Sequence, residues 1–169
     1  TLLLVIGGAH TAFWFGDVLM LYAVCSPVLL LLRTCSARTL FIAGGICLAL
    51  SALTMAAVQG EIEAADLGDY WVDENTAMGE DVQFAVLADF GMRALGAMLI
   101  GVGLFRADII QGRRPAEFYR RLAAGSLGIG VPLSILGVAI HLANDWNPDV
   151  ALVGAVPNIL ATVPMAIGY

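Results

Sequence analysis

Ionisable side chains set inside long apolar stretches are the residues of this sequence most able to do chemistry. His10 stands one helical turn before Trp14, and Asp17 follows directly on Phe15 and Gly16. Asp89 and Arg93 are four residues apart, as are His141 and Asp145, the spacing that brings two side chains to one helix face. Imidazole exchanges protons near neutral pH, so two histidines with nearby carboxylates suit general acid–base catalysis. They suit a proton-coupled transport path equally well. Each group also has a plainer reading. Asp89 and Arg93 form an intrahelical pair that offsets its own burial, His141 is held by Asp145, and His10 is an interface residue among aromatics. The sequence has no H-E-x-x-H metal motif, phosphate-binding glycine loop or nucleophile elbow. Cys25, Cys35 and Cys47 lack the spacing of a zinc site and read as packing residues, so no metal is expected.

The elements that must position these groups are membrane helices. Of the 169 residues, 60% are hydrophobic and 13% charged, against roughly 25% charged in a soluble domain. Mean hydropathy is +0.87. The apolar residues come in blocks of about 20, enough to cross a hydrocarbon layer of roughly 30 Å as helix. The fold class expected is all-α, a polytopic transmembrane bundle forming one domain over 1–169. Six spans are predicted, near 1–15, 17–32, 40–58, 86–105, 122–142 and 150–169. The first is too short to cross alone, and both ends are apolar, so the sequence reads as a piece that begins and ends within a larger bundle. No basic patch with interleaved aromatics is present, which argues against nucleic acid as a partner.

Charge is sorted by connection. Every cation is an arginine. Arg33 and Arg38 lie between the second and third spans, and Arg106, Arg113, Arg114, Arg120 and Arg121 between the fourth and fifth. The connection 59–85 holds Glu61, Glu63, Asp66, Asp69, Asp73, Glu74, Glu80 and Asp81 with no base, and 143–149 holds Asp145 and Asp149 with none. The positive-inside rule then places the arginine connections in the cytoplasm, with both ends on that side and the acidic loop outside. This topology sets His10, Arg93 and His141 one to two turns below the outer surface. With Asp17 and Asp89 they are expected to line one polar cavity. Small residues at Gly45 and Ala49, at Ala97 and Gly101, and at Ser126, Gly130 and Ser134 predict close helix contacts on those faces. Pro27, Pro132, Pro157 and Pro164 are expected to kink their spans.

Several stretches, taken in order, resemble a known family. His10 followed by Phe15-Gly16-Asp17-Val18-Leu19 and Tyr22-Ala23 is one, leading into the arginine connection at Leu32-Arg33 and Arg38-Thr39-Leu40. Glu61-Ile62-Glu63-Ala64, Arg93-Ala94-Leu95-Gly96-Ala97-Met98-Leu99-Ile100-Gly101, Phe118-Tyr119-Arg120-Arg121-Leu122 and Gly128-Ile129-Gly130-Val131-Pro132-Leu133 follow. Together they are similar to the YeiB-like bacterial inner-membrane proteins, which carry the domain of unknown function 418. That family resembles a wider group of membrane acyltransferases, which pass acyl groups from a cytosolic donor to an acceptor across the bilayer. The resemblance implies His10, Asp17 and Arg93 as catalytic candidates; His141 joins them on its depth alone. The acidic loop 59–85 is richer in carboxylates than the family pattern leads one to expect.

The function expected is acyl transfer to an extracytoplasmic acceptor, with histidine as general base. Arg113 and Arg114 are the residues placed to attract a phosphate-bearing cofactor such as acyl-CoA. The partners are the lipid bilayer, an acyl donor and the acceptor. Two readings from other classes stand beside it, a transporter or exporter of a small metabolite and a non-catalytic membrane subunit.

Overall fold

The computed structural model describes residues 2–11, 19–61 and 80–169. Asp17 and the acidic stretch 62–79 lie outside the described residues. Among the described residues six α-helices follow one another: α1 (Leu2–Thr11), α2 (Leu19–Leu32), α3 (Ala37–Glu61), α4 (Glu80–Arg106), α5 (Ala116–Ala143) and α6 (Ala151–Gly168). A 3-10 turn, Pro148–Val150, leads into α6. Among the described residues there is no strand.

Among the described residues four segments are long and apolar enough to cross a bilayer: Ala37–Gln59, Phe84–Arg106, Ala116–Ala143 and Pro148–Gly168. Only 11% of the apolar window of α5 is buried inside the protein, and 33% of that of the last segment. Leu31, Leu53, Ile129, Ile135 and Leu142 are all exposed. A soluble protein hides such residues, and helices this apolar and this exposed suit a lipid bilayer. This is the architecture of a multi-pass membrane protein.

The helices run past the apolar windows read from sequence. α3 extends to Glu61, α4 begins at Glu80, and α5 begins at Ala116. Hydropathy detects the segment that fits the hydrocarbon, but backbone hydrogen bonding continues into the headgroup layer where polar side chains are tolerated. Local signals set the ends. Ser36 caps α3, its Oγ accepting from the Thr39 amide at 3.1 Å. Pro115 sits at the N-cap of α5, with φ −60°. Helix α2 continues through Pro27, α5 through Pro132, and α6 through Pro157 and Pro164.

The chain divides into two compact units. The first comprises residues 1–47 and 90–113. In it α1 and α2 pack at Gly7, where an added Cβ would lie 2.8 Å from the Met20 amide nitrogen. The thiol of Cys25 on α2 donates to the Gly91 carbonyl. The start of α3 meets α4 at Gly44, where a Cβ would fall 2.7 Å from the Gly96 carbonyl oxygen, and Gly103 lies under the Phe41 ring. This corrects the predicted contact faces. The space beside Gly45 and Gly101 is open, so the close approach uses Gly44, Gly96 and Gly103 instead. Neighbouring residues on a helix point about 100° apart, so glycine pairs at adjacent positions describe different faces with equal plausibility.

The second unit comprises residues 48–89 and 114–169. Its core is Ala52 and Met55 of α3 against Leu152 and Ile159, with Val58 and Val156 beside them. Helices α5 and α6 form an antiparallel hairpin with a readable register. Leu127 meets Gly168, Gly130 meets Met165, Gly137 meets Asn158, and His141 meets Gly154. The steps along α5 are three, seven and four residues, and α6 retraces them in reverse. This is the alternating spacing of a tightly packed helix seam, with one small residue in every pair. Of the predicted face at Ser126, Gly130 and Ser134, Gly130 belongs to the seam.

Candidate functional site

Apolar helices bury few polar groups, so the ones they do bury mark a site. Among the described residues the second unit buries three: Ser51, Asp89 and His141, at 0%, 1% and 4% exposure. The Ser51 hydroxyl of α3 donates to Oδ1 of Asp89 on α4 in a buried hydrogen bond. Ser51 was not among the sequence candidates; its only signal was a hydroxyl in the middle of an apolar span. Its partner shows why it is there, since a carboxyl group in this environment needs a donor.

His141 sits on the last turn of α5, with Gly154 of α6 against its ring. Above the ring lies Trp146, stacked nearly parallel with 6° between planes and centroids 5.1 Å apart. The chain must turn back sharply to bring Trp146 there. Asp145 and Trp146 both adopt positive φ, 50° and 57°, and the Trp146 amide donates to the His141 carbonyl at 2.9 Å. Positive φ at a bulky residue is uncommon and strained, and it persists only where surrounding contacts enforce it. The sequence pattern paired His141 with Asp145 by spacing. In the structure Asp145 is exposed, and the residue folded over the imidazole is Trp146.

A second polar anchor holds the same hairpin. Gln59, near the end of α3, accepts through Oε1 from the Leu152 amide at 2.7 Å and the Val153 amide at 3.4 Å, and its Nε2 donates to the Pro148 carbonyl. The first amides of a helix have no partner within it, and lipid offers none. One side chain therefore secures the start of α6, and with it Gly154 beside His141.

In the first unit, the guanidinium of Arg93 lies over the Phe90 ring, 5.1 Å from its centroid, an arrangement that suits a cation in an apolar setting. His10 is exposed on α1. By unit, His10 and Arg93 belong to the first and Asp89 and His141 to the second, with Asp89 and Arg93 one turn apart on the continuous helix α4. Arg113 is exposed and ion-paired with Asp108 at 3.0 Å. Arg114, at the start of the second unit, lies over Phe118 at 5.9 Å. Among the described residues no group of three or more His, Cys, Asp or Glu is arranged to hold a metal.

Arg106, ending α4, donates to the Cys35 carbonyl in the α2–α3 turn, which brings two arginine-bearing connections to one end of the first unit. Gln59, near the end of α3, bonds to Pro148 and Leu152, at the end of the α5–α6 connection and the start of α6.

No family profile matches the chain, and no solved structure matches it. The chain is similar to "Uncharacterized protein YeiB" of Escherichia coli (strain K12), with 26% identity over 194 aligned positions that include the whole chain. It spans about half the length of that protein, so the likeness marks this membrane-helical chain as similar to one portion of YeiB.

Proposed function

We propose that this chain belongs to a membrane enzyme that transfers an acyl group to an extracytoplasmic acceptor, with His141 as general base. The observation that carries the proposal is the enclosure of His141, buried between Gly154 and the ring of Trp146 by a strained turn. An acceptor hydroxyl or amine must lose a proton as it attacks the acyl carbon. In that step the new acyl–acceptor bond forms, the bond from the acyl carbon to the donor breaks, and the acceptor proton passes to the imidazole. The imidazole then delivers the proton to the departing donor group. The half-exposed Trp146 is the part of this enclosure that solvent and an acceptor reach first. The positive-inside rule supports an extracytoplasmic position for this end of α5. His10, Asp17 and Arg93 enter the proposal through the family resemblance. The test is His141→Ala in the full-length protein, assayed for transfer from a labelled acyl donor to membrane-impermeant acceptors. Activity should fall about 100-fold or more, the usual contribution of a general base, with membrane insertion unchanged. Retained activity overturns the assignment.

A transporter is the second reading, favoured by the Ser51–Asp89 pair. A carboxyl group buried between two apolar helices is the usual carrier of a proton or ion path. In proteoliposomes, Asp89→Asn would abolish proton-coupled flux if this reading holds. If the chain is an acyltransferase, no such flux is present to lose, and His141→Ala is the damaging substitution.

A further inference from the structure

The first turns of α5 carry a groove of about 470 Å³ lined by Pro115, Glu117, Phe118, Arg121 and Leu122. Its rim is cationic: Arg121 lines it and Arg114 lies over its Phe118 wall, both exposed, with Glu117 as the acid of the lining. Glu117 accepts from Arg120 and, at 2.8 Å, from Nε of Arg121, a single contact on a group with five N–H donors. The guanidinium of Arg114 is steadied over Phe118, and the Arg114 amide donates to the Tyr119 hydroxyl at 3.3 Å. The far wall of the groove is apolar. Phe118 and Leu122 begin a stripe that continues through Gly125, Ile129 and Leu136, spaced to keep one face of the helix. At 100° per residue this stripe is turned about 130° from the seam that α5 shares with α6. Ile129 and Leu136 are 58% and 50% exposed, and the space beside Gly125 is open.

We propose that this groove binds an anionic phospholipid, with its phosphate between Arg114 and Arg121 and an acyl chain along Phe118, Leu122 and the gap at Gly125. Arginine recognises phosphate by paired, planar N–H donors. Basic residues at the end of a membrane helix attract anionic headgroups at the bilayer surface. A soluble phosphate-bearing cofactor would use the cationic rim alone. The apolar stripe leading from the rim along a helix long enough to span the bilayer gives a lipid a reason to bind that a soluble cofactor lacks. The proposal is independent of whether the protein transfers acyl groups or transports a solute.

The test is lipid retention by the full-length protein purified in neutral detergent, read by native mass spectrometry. Phosphatidylglycerol, phosphatidylcholine and coenzyme A are offered separately. Wild type should retain phosphatidylglycerol over phosphatidylcholine. Arg114→Gln with Arg121→Gln should lower that retention roughly tenfold or more, about the attraction of two surface arginines. Arg33→Gln with Arg38→Gln removes equal charge elsewhere and should leave retention unchanged. Gly125→Leu fills the open space without altering charge and should also weaken retention. Equal loss in both double variants would reduce the effect to net charge and overturn the proposal. Arginine-dependent binding of coenzyme A without phosphatidylglycerol would overturn it too, and so would full retention by the Gly125 variant.

Discussion

The imidazole of His141 occupies the space that a side chain on Gly154 would need: a Cβ there would come within 2.6 Å of the ring carbon Cε1 and 2.8 Å of Nε2. The two residues are the last pair of the α5–α6 seam before the turn, and Trp146 stacks on the same ring. The histidine is therefore positioned by an absent side chain and a stacked aromatic. Gly154→Ala should push the ring toward Trp146 or spread the hairpin, at about 1–3 kcal/mol for overpacking. In a background lacking Trp14 and Trp71, the emission of Trp146 should change with Gly154→Ala. It should change little with Gly128→Ala, where nothing lies within 4 Å of the added Cβ. Equal responses from the two variants would contradict the packing described.

Gly44 and Gly45 are adjacent, yet the structure gives them opposite roles. A Cβ on Gly44 meets the Gly96 carbonyl and the Ile100 side chain, while one on Gly45 meets nothing within 4 Å. Gly44→Ala should lower the unfolding midpoint in detergent, because backbone on α4 would have to move. Gly45→Ala should be neutral or stabilising by up to about 1 kcal/mol, the difference in helix propensity. A reversed order would show that the helices meet on the face first expected from Gly45 and Ala49.

Cys35 reports topology, since it lies in an arginine-bearing turn whose carbonyl accepts from Arg106. With Cys25 and Cys47 replaced by Ala, a membrane-impermeant thiol reagent should label Cys35 only after the cells are permeabilised. Labelling in intact cells would place the arginine connections outside and invert the side on which His141 opens.

Much of the architecture was legible in the sequence because lipid imposes a simple code. Blocks of about 20 apolar residues must be helices, since no other open backbone satisfies its hydrogen bonds in hydrocarbon. All six helices fall where the apolar blocks stand, and Asp89 and His141 were identifiable because an ionisable group there is costly. Partners were a different matter. The spacing of four residues paired His141 with Asp145, but two positive-φ residues fold the chain back so that Trp146 lies over the ring. Ser51 is 38 residues from Asp89, and Gln59 is 93 from Leu152. Hydropathy records how much a residue prefers lipid; it does not record which way a helix is rotated. A rotation of 100° exchanges Gly44 for Gly45 with no change in composition. That choice was made only when side chains from distant helices had to fill the same space, and the same packing decided which groups Asp89 and His141 would meet.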